Sequence, residues 1–158
     1  MVREMKVSGI ALDPFTNTPI VILKDVTGEK ILPIWIGFME ASSIAMELEK
    51  TPRGRPLTHD LMKNVLDCLK FSVTKVEVTD LRDDTFYAEI YLKRGDEEYV
   101  IDSRPSDAIA IALRTGSPIY VKEEVLEKSR KLESGEEKEK LTELLEKIPP
   151  GDFGKYKM

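Results

Sequence analysis

The chain has 158 residues, 41% of them hydrophobic and 34% charged, with a formal net charge of −5. That length suits one compact domain with a proper core, and the acidic balance excludes a global positive field, so any contact with nucleic acid must use a local basic patch or a bound metal. One cysteine excludes a disulfide framework and a thiolate metal cluster, and with no signal-like h-region and no apolar run near ~18 residues the expectation is a soluble cytoplasmic protein without a membrane contact.

Residues 5–12 alternate loosely and read as a first strand. Asp13-Pro14 and Asn17-Thr18-Pro19 mark a loop. Ile20-Val21-Ile22-Leu23 is a continuous apolar run, the pattern of a strand buried on both faces. Thr27-Gly28 turns the chain, and residues 31–36 form a third strand in which Pro33 argues for an edge position or a bulge. A helix follows Gly37. Ala41, Ile44, Ala45 and Leu48 make its apolar stripe, while Glu40, Ser43 and Glu47 share another face.

Residues 51–56 hold Pro52, Gly54, Pro56 and two arginines and read as a short loop. The next helix has Thr58 as its expected N-cap and Leu61, Val65, Leu66 and Leu69 as its expected inward face, with Cys68 as a small buried core residue. His59, the lone histidine of the chain, stands at the start of this helix beside Asp60. Imidazole titrates near neutral pH, so this setting makes it a candidate for catalysis or binding.

Residues 71–78 read as a strand whose alternation changes phase near Thr74, and residues 80–84 as a turn. Residues 86–92 pair with 98–101 across Arg94-Gly95-Asp96. The run from Ile101 to Ala110 then breaks from strand into helix. Pro105 suits the first helical turn, Ser103 or Arg104 the N-cap, and Asp107 the positive end of the helix dipole. Ala108, Ile109, Ile111, Ala112 and Leu113 make the helix apolar over most of its surface, and Gly116 supplies its stop. Asp102, Ser103, Arg104 and Asp107 therefore crowd one strand-to-helix corner, a place where free N–H groups and side chains point the same way. Residues 118–121 make a short closing strand. Residues 123–132 and 136–148 are charged helical segments, the second with Leu141, Leu144, Leu145 and Ile148 at helical spacing.

An offset of 67 residues lays Ile34 on Ile101, Glu40 on Asp107, Ala41 on Ala108, Ile44 on Ile111 and Ala45 on Ala112. A β3α unit used twice would give this echo, with Glu40 and Asp107 at equivalent corners. The expected fold is α+β: a mixed, mainly antiparallel sheet with flanking helices. Residues 1–122 form the domain, and residues 123–158 a helical extension packed on it or on a partner subunit.

Three runs, Leu32-Pro33-Ile34-Trp35-Ile36-Gly37 with Glu40-Ala41, Arg55-Pro56-Leu57-Thr58-His59-Asp60-Leu61, and Asp102-Ser103-Arg104-Pro105-Ser106-Asp107-Ala108, closely resemble the bifunctional nuclease domain family. The resemblance covers about residues 5–126, and the ending Gly151-Asp152-Phe153-Gly154 resembles that of stand-alone bacterial members. It implies a nuclease acting on DNA and RNA, on a fold that is often dimeric, hence a homodimer with nucleic acid as substrate.

Phosphodiester cleavage needs an activated water, neutralisation of phosphate charge and help for the leaving oxygen. From the matched motifs, Glu40, Asp60, Asp102 and Asp107 are oxygen donors suited to Mg²⁺ or Mn²⁺, with Glu40, Asp102 and Asp107 as the metal set. His59 is the expected general base or acid. Arg55, Arg104 and Ser103 are expected to hold phosphate oxygens, for which the planar guanidinium fork is suited. No Walker-type or Rossmann-type glycine loop occurs, so no nucleotide cofactor is expected. The alternative reading is a non-catalytic oligomeric binding or regulatory module in which the same polar motifs are caps and ion pairs.

Overall fold

In the computed structural model, residues 1–132 are described. The strands β1 (Val2–Leu12), β2 (Pro19–Asp25), β3 (Ile31–Trp35), β4 (Ser72–Arg82), β5 (Thr85–Arg94), β6 (Glu97–Ser103) and β7 (Ile119–Lys122) form one sheet in the order β3-β2-β1-β7-β4-β5-β6. Every pairing is antiparallel except β4 with β7. The helices are α1 (Phe38–Leu48), α2 (Thr58–Cys68), α3 (Pro105–Thr115) and α4 (Glu123–Leu132). This is the mixed, mainly antiparallel α+β arrangement that the pattern of strands and helices predicts. Two three-stranded meanders, β1-β2-β3 and β4-β5-β6, flank β7, and a helix leaves the last strand of each: α1 after β3, α3 after β6.

The burial of β2 on both faces follows from its unbroken apolar run. Val21 and Leu23 enter the main core, while Ile20 and Ile22 join Ala11 in a smaller cluster on the opposite face. β3 lies at the sheet edge, where Pro33 is tolerated. The phase change near Thr74 is a bulge between Val73 and Lys75, and a second bulge falls between Val78 and Asp80. β4 runs to Arg82, two residues past the expected start of the turn. The turn itself is Asp83-Asp84, both at positive φ (50° and 60°), as a tight hairpin of this hand demands.

α3 is the central helix. Its N-cap is Arg104, Pro105 opens it and Gly116 at φ 67° ends it. Ile109 and Ile111 are fully buried. Val125 and Leu126 of α4 are buried in the same core. The expected helix over 136–148 lies outside the described residues. Among the described residues no helix is long and apolar enough to cross a membrane.

α2 departs from expectation. Its N-cap is Leu57, not Thr58, because the Asp60 carboxylate folds back to accept the Leu57 N–H at 2.9 Å. The stripe read as inward is turned out: Leu61 is 56% exposed, Val65 47% and Leu69 51%. Leu66 is half-buried and Cys68 is exposed, not a core residue. The reason is lateral placement. α2 packs beside α3 rather than across the sheet, so His59 is its one buried residue.

Truncating the central helix tests where the core sits. Ile109→Ala should destabilise the fold by about 2–5 kcal/mol in a urea melt, as expected for a fully buried Ile; a loss below about 1 kcal/mol would place α3 outside the core.

Candidate functional site

The N-terminal turns of α1, α2 and α3 meet, and each carries a carboxylate: Glu40, Asp60 and Asp107. Each sits where the helix dipole favours negative charge. Cations then stitch the three turns together. Arg104, in the α3 cap, donates from Nε to Asp107 Oδ2 at 2.9 Å and from Nη2 to Oδ1 at 3.1 Å. Its third nitrogen, Nη1, donates to Glu40 Oε1 at 2.8 Å. One guanidinium thus reaches both corners of the proposed repeat. Gly37 makes room for this: a Cβ there would fall 2.4 Å from Glu40 Oε2.

Behind Asp107 lies a buried chain. His59 Nε2 is 2.9 Å from Asp107 Oδ1, and Nδ1 is 2.7 Å from Ser43 Oγ. Arg114 Nη2 donates to Ser43 Oγ at 3.1 Å, which turns the hydroxyl proton toward His59 Nδ1. His59 then carries its own proton on Nε2 and donates it to Asp107. Arg114 is almost completely buried (side chain 2% exposed) and fully engaged: Nε to Asp60 Oδ1 at 2.7 Å, Nη1 to the Ala110 carbonyl and Nη2 also to the Ser43 carbonyl. Arg53 approaches Asp60 Oδ2 at 3.5 Å and donates to Glu47 at 2.9 Å.

Two carboxyl groups here are displaced from their ordinary range. Burial pushes Asp107 up, but the hydrogen bonds from Arg104 and His59 outweigh it and the group sits low. Burial likewise raises Asp60, and the Leu57 N–H and Arg114 more than reverse it. Both are ionised acceptors at neutral pH.

The structure therefore brings together Glu40, His59, Asp60, Arg104 and Asp107. It leaves Asp102 apart. Strand alternation points Asp102 to the sheet face opposite Ser103, in register with Glu89 and, through it, Glu77. Ser103 is spent locally, its hydroxyl donating to the Arg104 carbonyl at 2.8 Å. Among the described residues no group of three or more His, Cys, Asp or Glu side chains could hold a metal ion. The set Glu40, Asp102 and Asp107 does not fit a cation cage in this arrangement, because Asp102 is on the far face and Arg104 occupies the other two.

Arg55 is exposed, and among the described residues its side chain has no hydrogen-bond or ion-pair partner. It lines an open cleft of about 430 Å³ with Lys50, Arg53, Glu47, Asp60 and Asn64. Ser43, Arg53 and Arg114 were not singled out by sequence reasoning. Arg114 carried a signal, a lone cation inside an otherwise apolar helix, and Ser43 shared a face with Glu40 and Glu47.

Comparison with known proteins adds a family. The model of the bifunctional nuclease domain matches residues 21–134. An uncharacterised protein of Mycobacterium tuberculosis is 40% identical over 162 residues, covering 95% of this chain and 97% of that protein. Bifunctional nuclease 1 of Oryza sativa is 33% identical over 69% of this chain and 34% of its own length. Bifunctional nuclease 2 of Arabidopsis thaliana is 33% identical over 63% of this chain and 31% of its length.

Two outcomes test the geometry. Asp60→Ala leaves Arg114 buried and uncompensated and should cost about 3–5 kcal/mol, seen as a lowered Tm. The ionised Asp107 adds stability that is complete above the ordinary carboxyl pKa and lost as pH falls through its lower folded value. The stability gap between wild type and Asp107→Asn in urea melts should therefore close below about pH 4; a gap that widens in acid contradicts the assignment.

Proposed function

This chain belongs to the bifunctional nuclease domain family, and from that premise and the site geometry we propose that it is a nuclease cleaving phosphodiester bonds in DNA or RNA. The observation that carries the reading is Arg104, whose side chain is 63% exposed yet fixed in orientation by Asp107 and Glu40. A planar guanidinium held from behind is a preorganised receptor for a phosphate.

In this mechanism the incoming phosphate exchanges with the Glu40 carboxylate at Nη1, while the Nε and Nη2 edge stays on Asp107. Glu40, released beside the phosphate, takes the proton of the attacking water as the water oxygen bonds phosphorus and the P–O bond to the leaving oxygen breaks, and the leaving oxygen takes its proton from solvent. Arg104 offsets the charge that builds on the phosphoryl oxygens. His59 is 8% exposed with both ring nitrogens bonded, so its part is to orient Asp107, and through it Arg104, rather than to touch the substrate. Arg55 and the cation-lined cleft take neighbouring phosphates of the strand. No step runs through a metal, since the donor set does not assemble.

A second reading, the non-catalytic oligomeric binding or regulatory module, draws on the inner half of the same network. Ser43, His59 and Arg114 are buried and mutually satisfied, as a purely structural lock requires.

The deciding assay uses the full chain on single-stranded DNA, duplex DNA and RNA, with Mg²⁺, with Mn²⁺ and with EDTA. Cleavage should fall by about 100-fold or more in Arg104→Ala and Glu40→Gln, and Arg55→Ala should raise KM with little change in kcat. The EDTA arm reads metal dependence directly. Absence of cleavage under every condition, with the variants altering only Tm, would replace the nuclease with the binding module.

A further inference from the structure

The run from Leu32 to Gly37 with Glu40-Ala41 gives Glu40 to the site and leaves Trp35 without a role. Trp35, the one tryptophan of the chain, ends the edge strand β3 and is 41% exposed. Its indole is held in place: Nε1 donates to Asp13 Oδ2 at 2.8 Å. The other oxygen of that carboxylate accepts the Phe15 N–H at 2.8 Å, so one side chain ties the β1–β2 loop to the end of β3. Phe15 itself is 71% exposed. Past Gly37, the first turn of α1 presents Phe38 (48% exposed) and Met39 (83%). Met39 is the immediate neighbour of Glu40, which accepts from Arg104. Grouped exposed apolar side chains mark interaction sites, and this group adjoins the proposed phosphate receptor.

The group wraps the sheet edge. Strand alternation puts Trp35 on the face opposite Ile34, away from the helices, whereas Phe38 and Met39 lie on the helix side of the turn. A ligand that meets both must bend round that edge. A DNA duplex, with a persistence length of about 150 base pairs, resists such a bend, and a single strand follows it.

Charge points the same way. The chain carries a net charge of −5. Among the described residues, the guanidiniums that the site turns to solvent are Arg104 and Arg55, since Lys50 and Arg53 in the same cleft are bonded to Glu47. Those two fall far short of the roughly six to ten phosphate contacts that give strong charge-driven binding to a duplex. A duplex keeps its bases inside and offers this site little else. A single strand adds the faces of its bases, which aromatic side chains stack on whatever the sequence. We infer that Trp35, Phe38 and Met39, with Phe15, form a stacking platform for unpaired bases, so that the substrate class is single-stranded nucleic acid. One phosphate lies on Arg104 and the adjoining bases lie on the platform. The bond to Asp13 holds the indole before the strand arrives, which lowers the cost of ordering it. The inference rests on the phosphate-receiving role proposed for Arg104 and adds strandedness to it.

The lone indole supplies the readout. The full chain is titrated with an oligothymidylate of about 12 nucleotides and with the duplex of the same length, each checked intact on a gel afterwards. The single strand should quench Trp35 emission and bind about tenfold or more tighter than the duplex by anisotropy. Its log affinity should fall with log salt at a slope of about −1.4, the value for two phosphates of a single strand. Met39→Ala and Trp35→Ala should each weaken the single strand about tenfold and leave the duplex unchanged, and Trp35→Phe should keep most of the affinity. Met39 is so exposed that its variant should keep the wild-type Tm. Equal affinity for the two nucleic acids, Trp35 emission that the single strand leaves unchanged, or a Met39→Ala variant that binds the single strand as wild type does would overturn the inference. Cleavage assays on the same substrates separate it from the reaction. Cutting of duplex and single strand alike would uphold the nuclease and overturn the platform; quenching by the single strand without cutting would uphold the platform and overturn the nuclease.

Discussion

The arrangement of the helices depends on one buried cation. Arg114 enters the apolar interior on α3, and an unpaired guanidinium there would cost several kcal/mol. It is retained because α1 supplies the Ser43 carbonyl and hydroxyl, α2 supplies Asp60 and α3 its own Ala110 carbonyl. Those partners exist together only if the middle of α1 and the first turn of α2 converge on α3. The requirement to satisfy Arg114 therefore sets where α2 lies, and with it where His59 lies.

From that anchor the network runs outward with falling burial: Arg114 to Ser43, Ser43 to His59, His59 to Asp107, Asp107 to Arg104. Each link fixes the next group's orientation. The inner links lie in a low-dielectric interior where hydrogen bonds are strong and an unmet one is costly. The last member, Arg104, reaches water. One chain of contacts is thus a fold lock at one end and a presented guanidinium at the other. The same polar residues support both a structural and a catalytic reading for this reason, and only the exposed end separates them.

The placement of α2 beside α3 has a second consequence. Helices over a sheet hide their apolar stripe against it. α2 hides little beyond His59 and leaves the stripe outside. Amphipathic spacing in Leu61, Val65 and Leu69 marks an apolar stripe. It carries no information on which way the fold turns that stripe.

Much of the fold was written in local pattern. The two-sided burial of β2, the edge position of Pro33, the bulge near Thr74 and the Arg104-Pro105 to Gly116 helix all follow from residue type and spacing, because each is decided within a few residues of chain. The motifs marked Glu40, Arg55, His59, Asp60, Asp102, Ser103, Arg104 and Asp107, of which the fold joins Glu40, His59, Asp60, Arg104 and Asp107 in one network. The burial of His59, the roles of Ser43 and Arg114 and the exposure of α2 were decided by tertiary structure alone. Each depends on which elements become neighbours across 16 to 71 residues of chain, as Ser43 with His59 and Ser43 with Arg114 show. A side chain's type states what it can bond; only packing states what stands within 3 Å of it.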